Sequence, residues 1–226
     1  MANRNKGWQD RKAVVLLSGG LDSAVTLYTA REAGFKCYCL IFDYGQRHKR
    51  EIESAKKIAK ASNCKWLLMK IAFPWKGSAL LDKNIKLTRS RGTIPSTYVP
   101  SRNIIFLSFA LSYAEAIGAS AVYIGAHAQD YSGYPDCRPD FFKAFKKVIS
   151  HGTKAGVENR KIEIKTPLIN KTKAKIINQG QKLGVPFFLT WSCYLGRKQP
   201  CGQCDSCYFR KKGFKEAGIK DPLLEK

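Results

Sequence analysis

The chain has 226 residues, with 40 Lys and Arg against 17 Asp and Glu and a formal net charge of +23. Hydrophobic residues make up 44% and aromatics 12%, a composition that excludes extended disorder and supports a buried core without disulfide staples. No run approaches the roughly 18 apolar residues of a membrane span; the N-terminal MANRNKGWQDRK lacks an apolar signal segment, so the expected compartment is the cytoplasm.

Residues 12–17 (KAVVLL) predict a short buried parallel strand that stops at Ser-Gly-Gly. Residues 21–33 predict a helix, with Gly34 as its terminator. Residues 36–42 (KCYCLIF) predict a second strand. Residues 49–62 predict an amphipathic helix, with Ile52, Ala55, Ile58 and Ala59 on one face. A third strand follows at 65–69. Residues 72–100 hold Pro74, Gly77, Gly92, Pro95 and Pro100 and read as irregular. A mostly apolar helix is predicted over 104–118, a strand over 121–124, a helix over 140–149, a strand-like stretch over 161–165, and a helix over 173–183 closed by Gly184. This alternation calls for an α/β fold, a doubly wound parallel sheet with helices on both faces. Such sheets bind ligands at the carboxyl ends of their strands, so the loops after the strands carry the functional information.

The first of these loops is Ser18-Gly19-Gly20-Leu21-Asp22-Ser23. Two glycines let the backbone bring its N–H groups close to an anion, and the helix N-terminus that follows adds positive partial charge. Ser18 and Ser23 add hydroxyl donors. The loop is a phosphate cradle without the Gly-Lys-Ser/Thr ending of a Walker A loop.

This hexapeptide resembles the signature loop of the N-type ATP pyrophosphatases. That resemblance implies an adenine nucleotide alpha hydrolase-like, Rossmann-like fold over residues 12–190. It also implies cleavage of ATP to AMP and pyrophosphate. Four further segments narrow it: Phe42-Asp43-Tyr44-Gly45-Gln46-Arg47-His48, Pro95 to Asn103 (PSTYVPSRN), Ser132 to Arg138 (SGYPDCR), and a terminal cluster of four cysteines. All five, in this order, resemble the 7-cyano-7-deazaguanine synthase family of the queuosine pathway. The resemblance implies an ATP-dependent ligase that converts 7-carboxy-7-deazaguanine and ammonia to the nitrile through an adenylate and an amide. It further implies a homodimer. A member that stops at 7-amido-7-deazaguanine stays open as an alternative, as does an adenylating tRNA-modification enzyme of the same superfamily. The net charge of +23 favours the tRNA reading. Against it, the cations are spread along the chain and read as solvated faces and a site for anionic ligands; composition alone specifies no base contact. A nucleotide-binding interaction module, or a relative that attaches a deazapurine to a protein, is a third class.

Carried onto this chain, the resemblance assigns the ATP site to Leu17, Ser18, Gly19, Gly20, Leu21, Asp22, Ser23, Ala24, Val25, Thr26 and Leu27, with Phe42 bordering the adenine. Asp22 would touch pyrophosphate through Mg2+. Arg102 is a bidentate donor suited to a phosphate or to the substrate carboxylate. Lys173 matches a family lysine near the phosphates. Tyr44, Gln46, Arg47 and His48, together with Asp130, Tyr134, Asp136 and Arg138, are candidates for the deazaguanine edge. Of these, Asp136 or Asp130 would accept from the ring N–H and exocyclic amine, and His48 or His127 would handle protons. Three positions depart from the family pattern: Ser101 stands for a glycine, Lys175 for a glutamate, and Leu21 is an accepted variant.

Cys193-x7-Cys201-x2-Cys204-x2-Cys207 supplies four thiols around one point, the closed donor set of a structural Zn2+ site. A disulfide or an iron–sulfur cluster is the alternative reading. The expected organisation is therefore an α/β ATP pyrophosphatase domain over 1–190 and a zinc-binding subdomain over 191–226. Cys37, Cys39 and Cys64 read as small buried hydrophobes.

Overall fold

The computed structural model describes residues 11–87, 94–127 and 133–224. Its sheet has five parallel strands in the order β3-β2-β1-β4-β5. β1 (Lys12–Leu16) lies at the centre, between β2 (Lys36–Asp43) and β4 (Ala121–Tyr123). β3 (Lys65–Lys70) extends the sheet beyond β2 and β5 (Glu163–Lys165) beyond β4.

The apolar strand runs follow from burial on both sides. Ala13, Val15 and Leu17, with Cys37, Cys39 and Ile41, face a core completed by α1 (Leu21–Glu32), α2 (Arg50–Ala61), α6 (Lys173–Lys182) and α7 (Asp205–Ala217). The alternate residues Val14, Leu16, Leu40 and Phe42 face a second core with α3 (Arg102–Ile117) and α4 (Pro139–Gly152). A short α5 (Lys154–Val157) follows α4. The doubly wound arrangement is thus as predicted. Among the described residues no helix is long and apolar enough to cross a membrane.

The boundaries differ in places. β5 begins at Glu163 rather than 161, and the helix expected over 140–149 spans Pro139–Gly152. α5 and α7 have no counterpart in the prediction. The apolar positions of α7 are few, because Gly213 and Arg210 are buried beside Phe214. Phe214 meets Phe187 edge-on at 5.4 Å within the main core. Cys64 is half-buried, whereas Cys37 and Cys39 are buried.

Ser101, at the family's glycine position, caps α3 with φ 55° and ψ 21°. That left-handed conformation costs an L-residue about 1–2 kcal/mol and glycine almost nothing. Ser101→Gly is expected to raise stability by about 0.5–1 kcal/mol after the greater entropy loss of glycine. A urea titration reads this; an unchanged or lower midpoint would contradict it.

Candidate active site

The chain leaves β1 for β2 and β3 on one side and later returns to place β4 and β5 on the other. The strand order therefore reverses between β1 and β4, where a crevice opens at the carboxyl ends. A cavity of about 240 Å³ lies there.

The loop after β1 forms one wall. Gly19 adopts φ 87° and Gly20 precedes α1 as its N-cap. Ser18 Oγ donates to Ser23 Oγ at 3.0 Å, and Ser23 Oγ lies 3.0 Å from the Gly20 carbonyl. Asp22, in the first turn of α1, is gripped from across the crevice. Lys173 Nζ, on the first residue of α6, donates to both Asp22 oxygens at 2.9 Å. His127, following β4, lies with Nε2 3.0 Å from Lys173 Nζ and 3.7 Å from Asp22 Oδ2. Burial alone would raise the Asp22 carboxyl, but Lys173 and His127 together hold it far below the usual carboxylate range. Asp22 is therefore ionised at any physiological pH. Gly125 keeps the β4 loop close: a Cβ there would stand 3.0 Å from the Asp22 carbonyl.

The opposite end is aromatic. Phe42 stacks on Phe106 at 4.0 Å, and Tyr44 meets Phe106 edge-on at 5.5 Å. Arg102 Nη1 donates to Tyr44 Oη at 3.2 Å. Burial pulls the Arg102 guanidinium down, yet Tyr44, Tyr134 and Cys137 more than offset this, so it stays charged. Tyr134 and Thr97 share a hydrogen bond of 2.5 Å between their hydroxyls.

Not every predicted residue reaches this cavity. Leu17, Ser18, Gly20, Asp22, Ser23, Phe42, Tyr44, Gln46, Arg47, His48, Arg102 and Tyr134 line it, and Lys173 reaches it through Asp22. Ala24, Val25 and Leu27 belong instead to the core and Thr26 is fully buried. None of these four residues lines the cavity. Gly19 and Leu21 are buried behind the loop.

Several substrate candidates already have partners within the protein. Gln46 Oε1 accepts from the Tyr44 N–H at 2.8 Å, and Gln46 Nε2 donates to the Phe42 carbonyl at 3.1 Å, closing the turn after β2. The Arg47 guanidinium donates to the carbonyls of Ala79 and Lys83 at 3.3 and 2.9 Å and pins the irregular segment. Asp136 is buried away from the cavity and accepts from the Asn103 N–H at 3.0 Å, at the N-terminus of α3. Arg138 is exposed ahead of α4. Asp130 lies outside the described residues. His48 packs on Gly196, where a Cβ would come within 2.3 Å of its ring. Burial lowers its imidazole and the Cys193 region pulls it back up. Glu51, Asn103, Cys137 and Tyr194 also line the cavity. Glu51 was hidden from sequence reading because its helix looks like an ordinary charged surface helix.

The four cysteine sulfurs 193, 201, 204 and 207 all lie within 4.8 Å of one another. Cys201 Sγ and Cys207 Sγ are 3.9 Å apart, close to the ~3.8 Å between thiolates around a tetrahedral ion at about 2.3 Å. The amides of Leu195 and Cys201 donate to Cys193 Sγ at 3.4 and 3.3 Å. Hydrogen bonds from Cys204 and Cys207 hold the Cys193 thiol well below its ordinary range. This cluster could hold a metal ion. It is joined to the Ser18–Ser23 loop: the Trp191 N–H donates to the Gly19 carbonyl at 2.9 Å. Arg210 of α7 braces that segment, bonding Thr190 Oγ1 at 2.7 Å and both carboxylate oxygens of buried Asp221 at 2.6 and 2.8 Å. Arg50 stacks over Trp191 at 3.9 Å.

Comparison with known proteins agrees with this geometry. Among solved structures, an NMN synthetase from Francisella tularensis aligns over 93% of this chain and 78% of its own, with a TM-score of 0.50 and 18% identity. A 4-thiouridine synthetase, solved as an RNA complex with bound ATP, aligns over 92% and 50% with the same TM-score and identity. These show the shared fold. Among sequences, a protein of Nostoc named 7-cyano-7-deazaguanine synthase is 53% identical over 221 residues, 94% of this chain and 96% of that one. One of the same name from Acetivibrio thermocellus is 53% identical over 216 residues, 94% and 97% of the two chains. The family described as queuosine biosynthesis protein QueC matches residues 12–218. With the loop motifs, the crevice and the cysteine cluster all inside that span, the chain belongs to the QueC family.

Proposed function

We propose that this chain is an ATP-dependent ligase that converts 7-carboxy-7-deazaguanine and ammonia to 7-cyano-7-deazaguanine. The observation that carries the reading is the meeting of the Ser18–Ser23 loop with Lys173 and Asp22 at the sheet's switch point, in a chain 53% identical to proteins named for that product.

A carboxylate resists ammonia because oxide is a poor leaving group. The substrate carboxylate first attacks the α-phosphorus of ATP, and pyrophosphate departs. Ammonia then displaces AMP to give the amide. A second ATP adenylates the amide oxygen, and loss of AMP and a proton leaves the nitrile. The protein contributes positioning and charge stabilisation. The N–H groups of the loop and α1, with Ser18, Ser23 and Lys173, hold the departing pyrophosphate. Asp22, ionised beside Lys173, would hold Mg2+, which would supply neutralisation of the phosphate charge. Arg102, always charged, orients the substrate carboxylate or the α-phosphate, and Tyr44, Tyr134 and Phe42 enclose the flat rings. Cys193, Cys201, Cys204 and Cys207 would hold one structural Zn2+ per chain, which would tie the C-terminal segment together. The active species is a cytoplasmic homodimer.

Incubation with ATP, Mg2+, ammonium and the 7-carboxy base, followed by mass spectrometry, is expected to yield the nitrile with two AMP per product. An amide as end product would assign the chain to the amide-forming class. AMP formation with unmodified tRNA and none with the base would overturn the reading. Lys173→Met is expected to lower pyrophosphate release about 10²–10³-fold; release at the wild-type rate would remove Lys173 from the phosphate site.

A further inference from the structure

Glu51 stands apart from the other carboxylates near the crevice. It lies in the first turn of α2, and its backbone carbonyl abuts Gly19, where a Cβ would approach to 2.1 Å. The residue is therefore locked against the phosphate loop. Its side chain lines the cavity. Asp22 is paired with Lys173, Asp136 with the Asn103 N–H, and Asp43 with Lys49 at 3.4 Å. Among the described residues, no hydrogen bond or ion pair reaches the Glu51 carboxyl oxygens. The half-buried carboxyl, without a protein donor and with only the cavity side open to it, is poorly solvated, which fits a group kept for a cationic or donor ligand.

We propose that Glu51 is a catalytic residue of the ammonia step, receiving ammonium in the cavity and taking the proton that must leave nitrogen before it attacks the adenylated acid. This rests on the ligase reading above. Ammonium predominates at neutral pH and has no lone pair. Transfer of one proton to the Glu51 carboxylate yields ammonia and a neutral carboxylic acid. The nitrogen lone pair then forms the C–N bond, the C–O bond to AMP breaks with its electrons going to AMP, and a second proton leaves nitrogen for solvent, giving the neutral amide. Glu51 returns its proton to water before the next turnover.

The surroundings suit this exchange. Burial raises the Glu51 carboxyl to about 7, with the Arg102 guanidinium pulling it down and Cys193 adding to the rise. Tyr44 and His48 of the loop after β2 line the same cavity; both stay uncharged near neutrality, since burial raises the Tyr44 hydroxyl and lowers the His48 imidazole. A base that titrates near the working pH is the effective one. The carboxyl is protonated below about pH 7 and ionised above it, so ammonium-dependent turnover rises through that range.

The test compares two nucleophiles on the wild type and on Glu51→Gln, with ATP–pyrophosphate exchange measured on the same preparations. Hydroxylamine is a much weaker base, neutral at pH 7, and needs no deprotonation. With ammonium, Glu51→Gln is expected to lose about 10²-fold or more in rate, relative to its own exchange rate, and to lose the acid limb near pH 7. With hydroxylamine, hydroxamate formation is expected to fall less than tenfold on the same scale. Glu51→Asp, which keeps a carboxylate, should recover part of the ammonium rate. Equal losses with both nucleophiles, or an unaltered ammonium rate, would overturn the proposal. A wild type that shows no exchange with the 7-carboxy base would instead overturn the ligase reading beneath it.

Discussion

Gly19→Ala is expected to abolish measurable AMP formation, with a fall of about 10³-fold, and to lower stability by about 1–3 kcal/mol. The residue has φ 87°, and a Cβ there would lie 2.1 Å from the Glu51 carbonyl oxygen and 2.7 Å from the Ala55 amide nitrogen. Both obstacles are helix backbone, which cannot rotate aside as a side chain can. The chain could relieve the clash only by moving the Ser18–Ser23 loop off α2. That would misdirect the N–H groups meant for pyrophosphate and pull Gly19 from the Trp191 N–H. Gly45→Ala supplies the control: its φ is 78° but nothing lies within 4 Å of a Cβ. It should lose about 1 kcal/mol from backbone strain and keep most activity. Pyrophosphate release and urea titration of the two variants read this directly, and similar losses in both would show that steric contact with α2 is not the cause.

Removing the proposed Zn2+ is expected to have the second large effect. Four sulfurs within 4.8 Å of one another cannot all stay thiolate without a cation among them, since like charges this close repel. Cys204 and Cys207 are pushed up by their neighbours, so metal loss protonates and loosens the set. A strong chelator under reducing conditions, or Cys204→Ser, should release one zinc per chain and unfold the segment around α7. The consequence should extend beyond that segment. The path runs from the cluster through Cys193 to Trp191, whose N–H holds Gly19, with Arg210 bridging Thr190 and Asp221. Breaking a buried, hydrogen-bonded pair of this kind costs about 3–5 kcal/mol. The melting temperature should fall by about 10 °C or more, and ATP turnover should be lost along with helicity by circular dichroism. Elemental analysis checks the metal. A metal-free chain with an unchanged melting curve would show that the cluster does not carry the fold.

The parallel sheet, the Ser18–Ser23 loop and the four-cysteine run were all readable from the chain alone, because each rests on local rules. KAVVLL is apolar on both faces since both are covered. Two adjacent glycines between a strand and a helix announce a tight turn into the helix N-terminus. Thiols at short spacing can converge without any other part of the protein. The family resemblance, resting on five segments in order, was equally a property of the sequence.

What needed three dimensions was which side chains meet. Asp22 and Lys173 are separated by 151 positions, and only the crossing of α1 and α6 beside β4 brings them together with His127. Gln46, Arg47 and Asp136 look like ligand-binding groups in a motif, but folding turns their polar atoms onto backbone carbonyls and amides that would otherwise be left without partners. Glu51 shows the reverse. Among alternating charges on an amphipathic helix it looks like a solvated residue. The fold draws it half-buried into the cavity beside the Ser18–Ser23 loop, where desolvation, which no linear pattern encodes, pushes its carboxyl up.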